Sequence, residues 1–373
     1  MIPRAIDIEK NLEKNKVLII YGPRQVGKTT SVEKFLSETR LKYASYSGDD
    51  LEFAEDLAGC SLELIKGIIG DSDILFIDEA QKIQNIGRAL KLIVDHLPDI
   101  RVIATGSSSF DLANTTEEPL TGRKNLLRLY PIAISELLGQ QTLYEFEKKL
   151  GEHLIYGMYP EVVTYESYGQ KEKRIMEIKD SALIKDILAF QKVKSSRPII
   201  DLLKLLAFQV GSEVSCTELG EKLGLNEKTV RRYLDLLEKS FVLFRLDGFS
   251  RNLRKEISKM SKYYFYDLGI RNALIANFNR LDTRNDVGQL WENFMIIERM
   301  KRNAYRNVSA NYYFWRTYDQ KEIDLIEETG GNLSGYEFKW RENRKKPPRE
   351  WLKTYTNATY EVITPDNYLD FVT

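Results

Sequence analysis

Cysteine is nearly absent from this 373-residue chain, which carries only Cys60 and Cys216. The two stand far apart and without a C-x-x-C spacing, so neither a zinc site nor a disulfide framework is supported, and both are expected as buried thiols. No apolar run approaches the roughly 18 residues that a membrane span requires, which excludes an embedded helix and a membrane partner. The opening MIPRAIDIEK has no apolar stretch behind a basic start, so no secretory signal is visible and a cytoplasmic location is expected. Net charge is missing as well, because 55 Lys and Arg balance 55 Asp and Glu. That balance argues against a uniformly basic nucleic-acid coat but leaves room for a local patch. With 43% apolar and 29% charged residues the chain reads as globular, and its length calls for two or three domains, with three expected.

What the chain does have begins at IYGPRQVGKTT, directly after the apolar run VLII. Gly22 to Thr29 spell G-x-x-x-x-G-K-T, the spacing of a phosphate-binding loop. A buried strand over Val17 to Tyr21 must turn sharply into a helix whose first N–H groups point at an anion, and side chains at the glycines would obstruct that turn. The candidate nucleotide-binding residues are therefore Gly22, Pro23, Arg24, Gln25, Val26, Gly27, Lys28, Thr29 and Thr30. Lys28 supplies a point charge to the β- and γ-phosphates of ATP, and the Thr29 hydroxyl can hold Mg²⁺. After the loop, Val32, Phe35 and Leu36 fall on one helix face.

A second apolar strand, ILFIDEAQ, ends on two carboxylates. Asp78 is set to orient Mg²⁺ and its water, while Glu79 can polarise the water that attacks the γ-phosphate, which points to hydrolysis as well as binding. The strand RVIATGSSS is expected between the loop strand and the Asp78 strand, carrying a polar sensor at its end. Thr105, Ser107 and Ser108 are the candidates, and Ser107 is the one chosen. Arg123 and Arg128 flank the next apolar strand. Arg123, in a turn beside Gly122, is the candidate for a guanidinium that reaches a neighbouring subunit's nucleotide, which would make the chain self-associate.

GPRQVGKTT, FIDEAQ, ATGSS, LTGR and YPIAISEL together resemble the prokaryotic AAA-type ATPases that end in a restriction-endonuclease-like domain, and the likeness covers nearly the whole chain. It implies an α/β P-loop core with a parallel sheet over residues 1–135 and a helical lid over 136–195. No second sensor arginine stands out in that lid.

Residues 198–210 form an amphipathic helix. SCTELGEKLGLNEKTVRRYLDLLEKSFVLFRL then supplies a short helix, a turn at Gly224, a longer helix capped by Asn226 and a strand, which is the order of a winged helix over 196–280. Leu219, Leu223, Val230, Leu234 and Leu237 are its expected core. Lys228, Thr229, Arg231 and Arg232 lie where a recognition helix meets DNA phosphates or base edges. Between Lys228 and Lys262 ten lysines and arginines face four acids, with RNLRKEISK behaving as a wing loop. Winged helices also dock proteins, so a protein partner stays open beside DNA.

At the C-terminus, over 281–373, WENFMIIERM reads as an amphipathic helix, followed by strands at YYFWR, EIDLIEE and LSGYEFKW with a tight TGGN turn between the last two. Asp324 and the Glu337-x-Lys339 pair share a face, because residues two apart on a strand point the same way. Asp324 and Glu337, completed by Glu292 on the helix, could bind Mg²⁺ while Lys339 steadies the attacking water or the phosphate. The set resembles the restriction-endonuclease-like fold, which implies the same residues. Two functions follow as expectations. One is an ATP-hydrolysing, DNA-binding protein with a metal-dependent C-terminal nuclease. The other is an ATP-controlled DNA- or protein-binding switch whose C-terminal domain is an inert adaptor.

Overall fold

A computed structural model of the chain describes residues 2–106, 120–190, 197–250, 261–317, 321–341 and 346–373, the side chains of 182–190 excepted. Ser107, Ser108, the basic stretch 251–259 and residues 342–345 thus lie outside the described residues. The chain divides into two units, one holding Arg4–Tyr130 with Lys239–Phe241, the other chiefly Pro131–Glu238 and Val242–Thr373.

In the first unit VLIIY forms β1 (Val17–Tyr21), buried at every position because parallel neighbours and helices close off both faces. The remaining strands are β2 (Tyr43–Ser47), β3 (Ile74–Asp78), β4 (Arg101–Gly106) and β5 (Lys124–Arg128). Their order is β2-β3-β4-β1-β5, with every pairing parallel. The strand ending in ATG therefore stands between the loop strand and the Asp78 strand, which brings the ends of all three together. Parallel connections require crossovers, here the helices Lys28–Glu38, Leu51–Ala58, Leu62–Ile69 and Ile86–His96. Asp50 caps one of them by accepting from the Glu52 and Phe53 amides. Cys60 is half-buried in the turn after Leu51–Ala58, at φ 51°, rather than in the core.

The second unit starts with the helices Ile134–Leu138, Leu143–Tyr156, Pro160–Thr164 and Tyr168–Phe190. Next come the helix Arg197–Phe208, β6 (Glu213–Val214), the helices Cys216–Leu223 and Glu227–Lys239, β7 (Leu243–Gly248) and β8 (Ser261–Phe265). Ser215 and Asn226 cap the two middle helices through the Glu218 and Thr229 amides. Cys216, at the first position of its helix, is half-buried and free.

Beyond the helices Leu268–Leu274 and Val287–Tyr305 lie β9 (Asn311–Arg316), β10 (Glu322–Thr329), β11 (Asn332–Phe338) and β12 (Thr359–Ile363). A two-residue turn with Gly330 at φ 57° and Gly331 at φ 82° joins β10 to β11. Both values lie in the left-handed region that a tight hairpin needs and only glycine enters cheaply. The sheet order is β12-β11-β10-β9-β7-β8-β6, so one sheet runs across position 280, where the sequence suggests a domain boundary. The join is short and parallel, pairing Asp247 with Tyr313 and Gly248 with Phe314.

The Val287–Tyr305 helix departs from the amphipathic expectation. From Trp291 to Glu298 every residue except Glu292 is buried, because the helix is packed on opposite sides. Trp291 donates to the Ile363 carbonyl at the end of β12, while Asn293 brackets Phe265 on β8. Further along, Glu298 accepts from the Ile134 amide at 2.8 Å and the Lys301 ammonium at 2.6 Å, and Lys301 also donates to the Ile132 carbonyl at 2.9 Å. These buried charges fasten the first of the unit's helices to this one.

Candidate functional site

The phosphate loop has the form its spacing predicts. Gly22 adopts φ 149°, and a Cβ there would lie 2.0 Å from the Leu129 carbonyl oxygen, so no side chain fits. Gly27, at φ 91°, caps the Lys28–Glu38 helix without a side chain over its free amides. Between them Pro23 and Val26 are buried, Arg24 is half-buried and Gln25 is exposed at φ 59°. Lys28 is buried and folds back over the loop, donating to the Gly22 carbonyl at 3.0 Å and the Pro23 carbonyl at 2.7 Å. Thr30 is exposed on the first helical turn.

Two strand ends and the start of a helix converge on one carboxylate oxygen. The Thr29 hydroxyl donates to Asp78 Oδ1 at 2.9 Å, and the Thr105 hydroxyl donates to the same oxygen. Thr105 also accepts from the Glu79 amide at 3.3 Å. Glu79 turns away from the strand at φ 49°, and its Oε2 accepts from the Gln81 side-chain Nε2 at 2.5 Å. Hydroxyl and carboxylate oxygens beside a loop that presents amides fit Mg²⁺, which takes one or two protein oxygens and completes its shell with phosphate and water. Of the sensor candidates, Thr105 is the one that reaches Asp78 among the described residues.

Sequence reasoning missed Arg4. Its guanidinium donates to the buried Val26 carbonyl and, at 2.6 Å, to the Tyr130 carbonyl, so it braces the loop from outside the motif. No local signal marks it, since it lies 22 residues from its loop partner. Arg123 is half-buried and paired with Asp95 at 2.5 Å. Arg128 sits among the rings of Tyr21, Tyr130 and Phe241, with its guanidinium carbon 5.0–5.8 Å from their centroids.

In the second unit an open cavity of about 780 Å³ is lined by Glu292, Glu322, Asp324, Glu337, Lys262 and Lys339, with further residues around its rim. Leu325 pairs with Tyr336 across the hairpin, so Asp324 stands opposite Glu337. Asp324 Oδ2 accepts from the Phe338 amide at 2.8 Å, and Lys339 pairs with Glu337 at 2.8 Å. Burial pushes Asp324 well above the usual carboxylate range, and the negative charges of Glu292 and Glu337 push it further. Burial also raises Glu292, against the pull of Lys262. Burial works to lower Lys339, but its hydrogen bond to Glu337 and the nearby carboxylates leave it above its ordinary value. Asp324, Glu337, Lys339 and Glu292 thus line one cavity. The sequence does not reveal that Lys262 and Glu322 join them, nor that the Tyr264 hydroxyl donates to Glu292. Each of the carboxylates of Asp324, Glu337 and Glu292 already faces a cation or an amide: Lys339 on Glu337, Lys262 beside Glu292 and the Phe338 amide on Asp324.

On the Glu227–Lys239 helix, Val230, Tyr233, Leu234, Leu236 and Leu237 are buried while Lys228, Arg231 and Arg232 are exposed. Arg231 is bridged to Glu227 one turn earlier at 2.7 Å, and Arg232 lies 5.6 Å from the Tyr233 ring centroid. No helix among the described residues is long and apolar enough to cross a membrane.

Residues 14–138 match the AAA domain family, which makes this part of the chain a P-loop domain of AAA type. Residues 147–281 match a domain of unknown function (DUF8612), and residues 287–365 match another (DUF4143). An uncharacterized protein of Mycobacterium tuberculosis is 27% identical over 339 residues, 90% of this chain and 73% of that protein. An uncharacterized protein of Methanocaldococcus jannaschii is 24% identical over 386 residues, covering 98% of this chain and 84% of its own length. Among solved structures, a RuvB of Thermotoga maritima aligns over 62% of this chain and 82% of its own at 16% identity, with a TM-score of 0.31.

Proposed function

We propose that this chain binds and hydrolyses ATP with Mg²⁺ at the Gly22–Thr30 loop, and that nucleotide controls its binding of duplex DNA through a winged helix whose recognition helix is Glu227–Lys239. The observation that carries the ATPase reading is the meeting of Thr29 and Thr105 on Asp78 Oδ1, one residue from Glu79. In it the loop amides and Lys28 hold the phosphates, Thr29 and Asp78 hold the ion, and Glu79 aligns the attacking water. Held by Thr29 and Asp78, Mg²⁺ would supply positive charge to offset that of the phosphates.

The DNA reading is supported by the helix Glu227–Lys239, which buries one face and leaves Lys228, Arg231 and Arg232 exposed on the other, and by β6 and β7 both pairing with β8 beside it. For the C-terminal cavity we favour the adaptor over the nuclease, because Glu337 and Glu292 each face a lysine ammonium and Asp324 is held by a backbone amide. The test of the ATPase compares two variants. Lys28→Ala is expected to weaken nucleotide binding, whereas Glu79→Gln is expected to bind ATP and stall, and normal turnover by Glu79→Gln would refute the assignment.

A further inference from the structure

Three residues that precede the helix of Glu292 by many positions lie close to its carboxylate. Lys262, on β8, has a side chain only 3% exposed, and its ammonium pairs with Glu322 while lying 3.9 Å from Glu292 Oε1. Two residues further along the same strand, the Tyr264 hydroxyl donates to Glu292 Oε1 at 2.6 Å. Gly211, in the link between the Arg197–Phe208 helix and β6, comes so near that a Cβ there would lie 3.1 Å from the same oxygen. The opposite wall is closed in the same manner, with Lys339 on Glu337 at 2.8 Å.

A divalent ion binds carboxylate oxygens at roughly 2.0–2.6 Å and needs the approach that an ammonium otherwise occupies. Lys262 brings its charge on a buried stem whose ammonium lies 5.2 Å from the Phe314 ring centroid, so it has little room to move aside. We propose that Lys262 is the resident cation of this cavity: it positions Glu292 and Glu322 from the β8 side and supplies the positive charge that a divalent ion would otherwise bring, which keeps the cavity free of metal. The cavity is then a composite, built by Gly211, Lys262 and Tyr264 together with the hairpin. The proposal rests on the adaptor reading of the C-terminal domain and is independent of the ATPase.

The test counts Mn²⁺ bound to the full-length, nucleotide-free protein by electron paramagnetic resonance. Without nucleotide the phosphate loop has no phosphate through which to hold the ion. Wild type is expected to bind no Mn²⁺ through Asp324. Lys262→Gln is expected to gain one ion at least about tenfold tighter than any wild-type binding. Lys262→Arg, which keeps the charge, is expected to gain none, and the gained ion is expected to vanish in Lys262→Gln/Asp324→Asn. If Lys262→Gln folds only with Mn²⁺ present, and the double variant is not rescued by it, the result is the same. The proposal is overturned if Lys262→Gln folds and gains no ion, or if wild type already holds a nucleotide-independent Mn²⁺ that Asp324→Asn removes. Asp324-dependent cutting of duplex DNA by wild type would instead overturn the adaptor reading.

Discussion

Thr105→Val tests the ATP site at the residue that sequence alone does not single out. Thr105 is fully buried at the end of β4, and its hydroxyl joins two neighbours by donating to Asp78 and accepting from the Glu79 amide at 3.3 Å. Valine keeps the shape and removes the hydroxyl, so Asp78 Oδ1 retains Thr29 at 2.9 Å but loses its second donor. A hydrogen bond to a charged group contributes about 1.5–3 kcal/mol, and the longer contact to the Glu79 amide about 0.5–1 kcal/mol at most. If the first of these is felt in the transition state, where Asp78 and Glu79 must hold ion and water in register, kcat falls by roughly 10- to 150-fold. ATP affinity should change by less than about threefold, because the loop amides and Lys28 are untouched. Steady-state hydrolysis with a parallel nucleotide-binding titration separates the two, and a thermal melt shows whether the loss went into folding instead. A kcat within about threefold of wild type, with unchanged stability, would refute the role assigned to Thr105.

Three further outcomes are expected. Replacing both Arg231 and Arg232 by Ala should flatten the salt dependence of duplex binding, since each phosphate contact releases counterions; unchanged affinity would mark the helix as a protein-docking face instead. Arg123 extends from the surface, with its partner Asp95 also accessible, so mixing Arg123→Ala with Lys28→Ala subunits should recover turnover if the guanidinium acts across subunits, and hydrolysis independent of protein concentration would exclude it. Burial holds His153 near a pKa of about 3, helped by the charges of Lys171, Lys149 and Lys301. The unfolded chain therefore binds a proton there that the folded chain refuses, and stability present above pH ~6.5 is lost as pH falls toward 3, by up to about 1.4 kcal/mol per pH unit. His153→Phe, which keeps the stack on Phe146, should remove that part of the slope in acid unfolding, and an unchanged slope would sink the assignment.

Local spacing by itself determined the phosphate loop, because Gly22, Gly27, Lys28 and Thr29 serve one turn of backbone and must be written within eight positions. It also determined Asp78 and Glu79 at a strand end. The approach of Asp324 to Glu337 and Lys339 was legible too, since a two-residue glycine turn fixes the register of the hairpin and side chains repeat every second residue. Tertiary structure alone decided what joins them. Arg4 reaches the loop from outside the motif, and Thr105 meets Asp78 because β4 is inserted between β1 and β3, an order that no local pattern states. The helix at Glu292 lost its solvent face only because the sheet continues from β9 through β7 to β8, a junction of two residue pairs. That same junction carries Lys262 and Tyr264 to Glu292, about 30 positions along the chain, where the sequence reads Lys262 only as part of a basic run. Contacts of this kind depend on which strands become neighbours, and that choice is made by burial of the whole sheet, not by the residues beside the contact.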